Sequence, residues 1–263
     1  MKINILFPKF TSTNEGHFST IITKFFANNL KVIDMATTIS KLNRMNEFTI
    51  SADFLLNRYS VNLLDSSQVF AKRMFEILSV SIFLVLVASW LFPIIALVIK
   101  LESKGPVFYK QLRHGQNNVP FYCLKFRSMK SEPEGHFKQA SKYDARVTKV
   151  GSFLRKSSLD ELPQLLNVLM GEMAIVGPRP YAIPMNREFA EKIENFMFRH
   201  MVKPGITGLA QAKGFRGEIL DTFDMNARLR YDLFYIKNWS FLFDIKIIFL
   251  TFYSLVFNNE NAY

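Results

Sequence analysis

The longest apolar stretch of the chain is residues 77–99, which contain no charged side chain. At a rise of about 1.5 Å per residue, a helix of this length could cross the hydrocarbon core of a bilayer. Pro93 lies inside the stretch and is expected to kink or break such a helix. Basic residues such as Lys72 and Lys100 flank both ends, so the positive-inside rule favours neither orientation. Two interpretations therefore stay open, a transmembrane helix and a re-entrant helix whose ends lie on the same side of the membrane.

The remainder of the chain predicts a mostly helical α+β domain. Residues 106–110 and 121–126 are expected to be extended, with a polar turn that starts at Gly115 between them. Residues 157–169 and 188–199 are predicted to be helical, because apolar residues recur in them at helical spacing. In the first of these helices the predicted core positions are Leu162, Leu165, Leu166 and Leu169.

Residues 233–257 are rich in Phe, Tyr and Ile but also contain Lys237, Asp244 and Lys246. This charge density disfavours a membrane span. An amphipathic helix in the membrane interface and a buried core helix are both compatible with the pattern. Residues 1–67 show only short runs and are predicted to form a small segment of unknown role.

The formal net charge of +11 is compatible with nucleic acid, an anionic membrane face or phosphorylated substrates. The 27 phenylalanines exceed what a soluble core usually needs and favour a bilayer surface. Cys123 is the single cysteine, which excludes an internal disulfide and a thiolate zinc site. A Walker A sequence, an Asp-x-Asp motif and clustered histidines are all missing from the sequence.

Asp160 and Glu161 mark the start of the helix predicted over residues 157–169. The first backbone N–H groups of a helix are unpaired, and the helix dipole favours negative charge there. Such a position can keep a carboxylate ionised or receive a phosphate. The simpler alternative is a capping box, in which Ser158 and Glu161 satisfy the first turn.

Arg179 lies between Pro178 and Pro180, which stiffen the backbone on both sides. A guanidinium on such a loop suits forked recognition of phosphate, although a structural salt bridge is equally compatible. Lys125 and Arg127 alternate with apolar neighbours and are expected to share one strand face. That face is either solvated or a cationic floor for a diphosphate.

Several motifs occur in an order that resembles the bacterial sugar transferases, which are monotopic phosphoglycosyl transferases. The resemblance covers roughly residues 68–257. Two departures are noted, Phe92 where the family usually has Ser before the proline, and Glu172 where Gly-Asp-Met is commoner. The matching motifs are Gly105-Pro106-Val107-Phe108, Lys125-Phe126-Arg127-Ser128-Met129, Arg146-Val147-Thr148-Lys149-Val150-Gly151, Phe153-Leu154-Arg155, Ser158-Leu159-Asp160-Glu161-Leu162-Pro163-Gln164, Asn167-Val168, Gly171-Glu172-Met173, Val176-Gly177-Pro178-Arg179-Pro180 and Lys203-Pro204-Gly205-Ile206-Thr207-Gly208.

The resemblance implies a re-entrant membrane hairpin at residues 68–104 and a compact cytosolic catalytic domain with interfacial amphipathic helices at residues 105–263. It implies transfer of a sugar 1-phosphate, expected to be a hexose phosphate, from a UDP-sugar to undecaprenyl phosphate with release of UMP. The expected location is the cytoplasmic face of the bacterial inner membrane. A homodimer is compatible with the resemblance, and a nucleic-acid partner is not expected.

In the family scheme Asp160 is the nucleophile that holds the phosphosugar and also contacts Mg²⁺, while Glu161 positions groups or handles protons. The expected phosphate ligands are Arg155, Arg179, Lys125, Arg127 and Arg216. Three alternatives stay open: a sugar-only glycosyltransferase that releases UDP, a basic nucleic-acid-binding protein, and a catalytically inactive membrane-attached scaffold.

Overall fold

The computed structural model describes residue 63, residues 65–130, residues 139 and 141, and residues 144–257, with residues 255 and 256 described by their backbone alone. All of them belong to one compact unit, Leu56–Tyr263. The predicted N-terminal segment 1–67 therefore lies almost entirely outside the described residues.

The apolar stretch forms one helical run of 37 residues, Ser66–Glu102. It consists of helix α1 (Ser66–Phe83), a π-helical segment (Leu84–Ala88) and helix α2 (Ser89–Glu102). The helix continues through Pro93, and the irregularity lies before it as the wider π turn, a common companion of bent helices. Among the described residues it is the one helix long and apolar enough to cross a membrane, by length and composition alone.

One face of this run packs on the rest of the protein along its whole length. Buried positions recur from Glu76 and Val80 in α1 to Ile95 and Ile99 in α2. The opposite face is apolar and exposed, so the run presents far more hydrophobic surface than a soluble protein usually leaves uncovered. Its exposed members include Leu78, Ile82, Val85, Leu86, Trp90, Ile94, Leu97 and Leu101.

Strands β1 (Phe108–His114) and β2 (Pro120–Phe126) pair in antiparallel fashion, and β1 begins and ends later than the extended segment predicted over residues 106–110. The turn contains a short 3₁₀ segment, Gln116–Asn118. Cys123 of β2 belongs to a core cluster that also includes Val80, and Phe126 belongs to another that includes Ile99. The hairpin therefore packs against the apolar helical run through two core clusters.

The other elements surround this hairpin and confirm a mostly helical α+β architecture. Short strands β3 (Ala174–Val176) and β4 (Gly205–Thr207) pair in parallel. The helix predicted over residues 188–199 is displaced: helix α5 spans Ile183–Lys192, and a separate 3₁₀ segment, Phe196–Met201, follows it. In chain order the elements are α3 (Lys149–Lys156), a 3₁₀ segment (Leu159–Glu161), α4 (Gln164–Met170), β3 (Ala174–Val176), α5 (Ile183–Lys192), a 3₁₀ segment (Phe196–Met201), β4 (Gly205–Thr207), α6 (Leu209–Ala212), α7 (Thr222–Lys237) and α8 (Phe241–Phe257).

The apolar stretch near the C-terminus is divided between α7 and α8. Ile236, Trp239 and Ile247 are buried in one cluster, as the core interpretation expects. The other face of α8 is exposed and equally apolar, so a core role accounts for only half of this helix. That face consists of Leu242, Phe249, Phe252, Tyr253 and Phe257.

Candidate functional site

The chain around Asp160 does not form the single helix that the sequence predicts. A 3₁₀ turn, Leu159–Glu161, comes first, and α4 begins only at Gln164. Ser158 adopts a left-handed backbone with φ 56° and makes no side-chain capping bond. The alternative of a Ser158–Glu161 capping box is therefore wrong, and the Glu161 side chain is free to bind elsewhere.

The buried face of α4 also differs from the prediction. Gln164, Asn167 and Val168 are its most buried residues. Asn167 explains the difference, because its amide group accepts from the Leu124 N–H and donates to the Tyr122 carbonyl. A polar residue thereby joins α4 to strand β2, and apolar spacing alone gives no sign of such a bond.

Glu161 is bound by two cations from distant parts of the chain. Its Oε1 atom lies 2.6 Å from Lys125 Nζ and 2.6 Å from Arg179 Nη2, and its Oε2 atom accepts from Arg179 Nη1 at 3.2 Å. Asp160 Oδ2 lies 3.8 Å from the same Lys125 Nζ. Lys125, Asp160, Glu161 and Arg179 thus form one group, which we call the acid–cation cluster.

The two neighbouring carboxylates have opposite pKa shifts. Burial raises the pKa of Asp160, which is 6% exposed; the Lys125 charge opposes this rise and the Glu161 charge adds to it. Burial acts on Glu161 in the same direction, but the charges of Arg179 and Lys125 outweigh it and hold the pKa of Glu161 well below its ordinary value. Glu161 is therefore a fixed anion, whereas Asp160 is the more basic carboxylate of the pair.

Arg179 projects from the loop after β3, which runs very close to β4. A Cβ atom on Gly177 would lie 2.4 Å from the Lys203 carbonyl oxygen, so only glycine fits there. Arg179 binds the Glu161 carboxylate end-on, with Nη1 and Nη2 each donating to one carboxylate oxygen, which is a bidentate geometry. The Arg179 side chain as a whole remains 30% exposed.

Two further predicted residues lie around the cluster. Arg155 donates to Ser128 Oγ at 3.1 Å, and its charge is close enough to lower the pKa of Asp160. Arg216 donates to the Gln211 carbonyl at 3.1 Å. Burial, together with the nearby Arg179 charge, lowers the pKa of Arg216. Both are half-buried cations near the acid–cation cluster.

The structure does not bring Arg127 to this group. The prediction that Lys125 and Arg127 share one strand face requires a strand that includes both residues. Strand β2 ends at Phe126, so Arg127 lies just beyond it. The buried Arg127 guanidinium donates to the Ser103 and Lys104 carbonyls at the end of α2, at 2.6 and 2.9 Å. A cation at this position satisfies carbonyls that a helix C-terminus leaves unpaired. Arg127 is therefore a cap on the apolar helix.

The donor set suits a magnesium ion only if the substrate supplies most of its ligands. No group of three His, Cys, Asp or Glu side chains could hold a metal within the described part of the chain. Because Glu161 is saturated by cations, Asp160 is the carboxylate left for a metal. Mg²⁺ in phosphoryl-transfer sites commonly takes one or two carboxylates together with phosphate oxygens and water. Asp160 fits that pattern.

Sequence reasoning missed a buried polar network beneath the site. Asp244 accepts from Lys72 Nζ at 2.6 Å, from the Tyr235 hydroxyl at 2.8 Å and from Trp239 Nε1 at 3.0 Å. Lys72 also donates to the Val176 carbonyl, three residues before Arg179, and the Tyr235 hydroxyl oxygen lies 3.0 Å from that same carbonyl oxygen. The sequence feature that could have indicated this network is Asp244, a single acid in an apolar segment, because a buried charge requires a partner.

Comparison with known proteins identifies a family profile described as bacterial sugar transferase, which matches residues 67–258. A UDP-glucose:undecaprenyl-phosphate glucose-1-phosphate transferase of Klebsiella pneumoniae is 49% identical over 193 residues, 73% of this chain and 41% of the relative. The enzyme of the same name from Escherichia coli strain K12 is 50% identical over 193 residues, 73% and 41% of the two chains. The enzyme of that name from Caulobacter vibrioides is 42% identical, over 73% of this chain and 72% of the relative. The chain thus spans about two fifths of the length of the first two relatives.

Proposed function

Because the chain belongs to the bacterial sugar transferase family, we propose that it transfers a sugar 1-phosphate from a UDP-sugar to undecaprenyl phosphate. The relatives named above act on UDP-glucose, which makes glucose 1-phosphate the first candidate group. The observation that carries the proposal is the acid–cation cluster. It combines one basic, buried carboxylate with cations suited to a diphosphate.

In the proposed first step an Asp160 carboxylate oxygen attacks the phosphorus atom that bears the sugar. A new P–O bond to Asp160 forms, the P–O bond to the nucleotide breaks, and its electron pair leaves with UMP. The raised pKa of Asp160 makes its ionised form a stronger nucleophile. Arg155, Arg179 and Arg216 would bind the phosphate oxygens.

In the second step an oxygen of undecaprenyl phosphate attacks the same phosphorus atom. The P–O bond to Asp160 breaks, the electron pair returns to the carboxylate, and a diphosphate links the lipid to the sugar. Glu161 holds Lys125 and Arg179 in place through both steps. Mg²⁺ bound at Asp160 would neutralise phosphate charge.

The placement of the apolar helical run supports a re-entrant helix in this proposal. Near its start, Arg73 donates to the Val168 and Leu169 carbonyls at 2.7 and 2.9 Å. At its other end, Glu102 accepts from the Val150 N–H at 3.1 Å. Both ends therefore contact the same body, which a helix crossing the bilayer from side to side would not allow. The exposed faces of this run and of α8 would enter one leaflet, the cytoplasmic leaflet of the inner membrane.

The test is incubation of the purified full chain with Mg²⁺, undecaprenyl phosphate and one of several nucleotide sugars, UDP-glucose first. We expect UMP to be released, and we expect repeated turnover only when undecaprenyl phosphate is present. Asp160→Asn should abolish it, whereas Glu188→Gln, at an exposed helical ion pair, should leave it unchanged. Release of UDP would indicate a sugar-only glycosyltransferase, and no release with any donor would favour an inactive scaffold.

A further inference from the structure

The loop that carries Arg179 has an unusual hydrogen-bonding problem. Pro178 and Pro180 have no backbone N–H, so two of the peptide groups around Arg179, Gly177–Pro178 and Arg179–Pro180, lack a donor. The Gly177 N–H donates to the Thr207 carbonyl at 2.9 Å, and the other backbone hydrogen bonds of the loop depend mainly on its carbonyl oxygens. The stiffness expected from two prolines limits the backbone angles but does not by itself aim the Arg179 side chain at Glu161.

Consecutive carbonyls of this loop accept hydrogen bonds from other parts of the chain. The Pro178 carbonyl accepts from the Gly205 N–H at 2.9 Å. The Arg179 carbonyl accepts from Arg199 Nη2 at 2.6 Å, and the Pro180 carbonyl accepts from Arg113. Two of these donors are guanidinium groups, which are stronger donors to a carbonyl than a neutral N–H.

Arg199 holds the loop from beneath and is itself fixed. It is 1% exposed, and its Nε and Nη2 atoms lie 3.0 and 2.8 Å from Asp232 Oδ2 on α7. The guanidinium carbon also lies 4.2 Å from the centre of the Tyr181 ring, two residues after Arg179. The Arg199 guanidinium thus contacts the loop twice, by donating to the Arg179 carbonyl and by lying over the Tyr181 ring. Asp232 fixes the orientation of the guanidinium.

We propose that Arg199, oriented by Asp232, is a positioning residue that aims Arg179 at Glu161 and so builds the phosphate-binding side of the cluster. Arg199 touches neither Glu161 nor Asp160 in any hydrogen bond of the described residues; its effect passes through the Arg179 backbone. The catalytic role of Arg199 in this inference rests on the proposed function, whereas the unfolding experiment that tests its structural role does not.

A purely structural role explains the Arg199–Asp232 pair poorly. Two charges removed from water are costly, and apolar side chains of similar volume often stabilise a core equally well or better. The pair is therefore expected to be dispensable for stability if apolar residues replace both members. What apolar residues cannot supply is the donor to the Arg179 carbonyl.

The test is a double-mutant cycle on unfolding of the full chain in detergent micelles. One variant is the paired replacement R199M/D232L, which leaves no unpaired buried charge; the other is Glu161→Gln. In the native background E161Q should lower the folded-to-unfolded ratio at least about tenfold. In the paired background it should lower that ratio only about twofold, because Arg179 no longer engages Glu161 fully.

The control is E188Q, which should change the ratio by less than about twofold in both backgrounds. An equal effect of E161Q in both backgrounds would overturn the inference. If the paired variant does not fold, Arg199→Lys decides the question, since it keeps a charge for Asp232 but loses the planar fork. It should weaken the E161Q effect in the same way, and an undiminished effect would again refute the proposal.

Activity supplies a second readout that a merely structural residue would not move. If Arg179 is displaced, the phosphate-binding side of the cluster is weakened, so R199K should raise the KM for the nucleotide sugar several-fold more than it lowers kcat. E188Q should leave both values unchanged. Failure of the unsubstituted protein to release UMP would reject the proposed function, whereas the unfolding cycle would still decide the role of Arg199.

Discussion

The opposite environments of Asp160 and Glu161 predict that neutralising these adjacent acids changes stability in opposite directions. Glu161→Gln removes the anion from three charge-assisted hydrogen bonds at 2.6, 2.6 and 3.2 Å. Asp160→Asn removes a buried carboxylate whose cationic partner in the cluster, Lys125, is 3.8 Å away. The first change should destabilise the protein, and the second should stabilise it.

The magnitudes follow from burial. The Lys125 and Arg179 side chains are 17% and 30% exposed. In the E161Q variant, water can therefore solvate these two cations and replace part of their interaction with the lost carboxylate. We expect E161Q to cost about 1.5–3 kcal/mol, the range for one well-made charged hydrogen bond. We expect D160N to add about 0.5–2 kcal/mol, as replacements of strained functional groups commonly do.

The pH dependence separates the two effects. The pKa of Asp160 is raised from 3.8, so its ionisation penalty is absent below pH 3.8 and grows as the pH rises toward the folded-state pKa. The pKa of Glu161 is lowered from 4.5, so its contribution is present above pH 4.5 and is lost as the pH falls through the folded-state pKa. The gain from D160N should therefore disappear in acid.

The assay is guanidinium unfolding in detergent micelles, followed by fluorescence of the two tryptophans, at pH 7 and at pH 3. The reasoning is refuted if D160N destabilises the protein at pH 7, or if E161Q is neutral there. A D160N gain that does not depend on pH would also contradict it, because the gain would then come from something other than ionisation.

Three further predictions concern the surroundings of the site. Lys72→Met should cost about 3 kcal/mol in the same unfolding assay, because it leaves the buried Asp244 without a cation, and Asp244→Asn in that background should recover part of the loss. Gly177→Ala should lower the unfolding midpoint and the UMP-release rate together, since its Cβ atom would lie 2.4 Å from a backbone oxygen. Phe252→Glu, on the exposed face of α8, should reduce cosedimentation with liposomes without changing the unfolding midpoint in detergent; unchanged cosedimentation would contradict membrane contact by that face.

Local patterns in the sequence were sufficient for the hairpin and the apolar helix. Alternation predicts a strand over residues 121–126, and β2 covers Pro120–Phe126. An uncharged run predicts a helix over residues 77–99, and Ser66–Glu102 contains it. In both cases neighbouring residues carry the signal, so a short window of sequence is enough.

Local patterns failed where a distant partner decides the conformation. Ser158 looks like a helix cap but takes a left-handed backbone, and Glu161 binds Lys125 and Arg179 instead of closing a capping box. Arg127 looks like part of a cationic strand face but caps α2. The local sequence allows each of these side chains more than one set of contacts, and tertiary packing decides which set forms.

The charges around Asp160 support a diphosphate ligand more specifically than the basic composition does. Asp160 and Glu161 offset Lys125 and Arg179, so the acid–cation cluster is close to neutral when both acids are ionised. The surplus of positive charge then comes from Arg155 and Arg216, whose charges act on Asp160 and Arg179 respectively. Two half-buried cations beside a neutral cluster suit a ligand that carries negative charge on two adjacent phosphoryl groups. A general attraction for polyanions would not require the inner cluster to be neutral, so this arrangement favours a nucleotide sugar over nucleic acid.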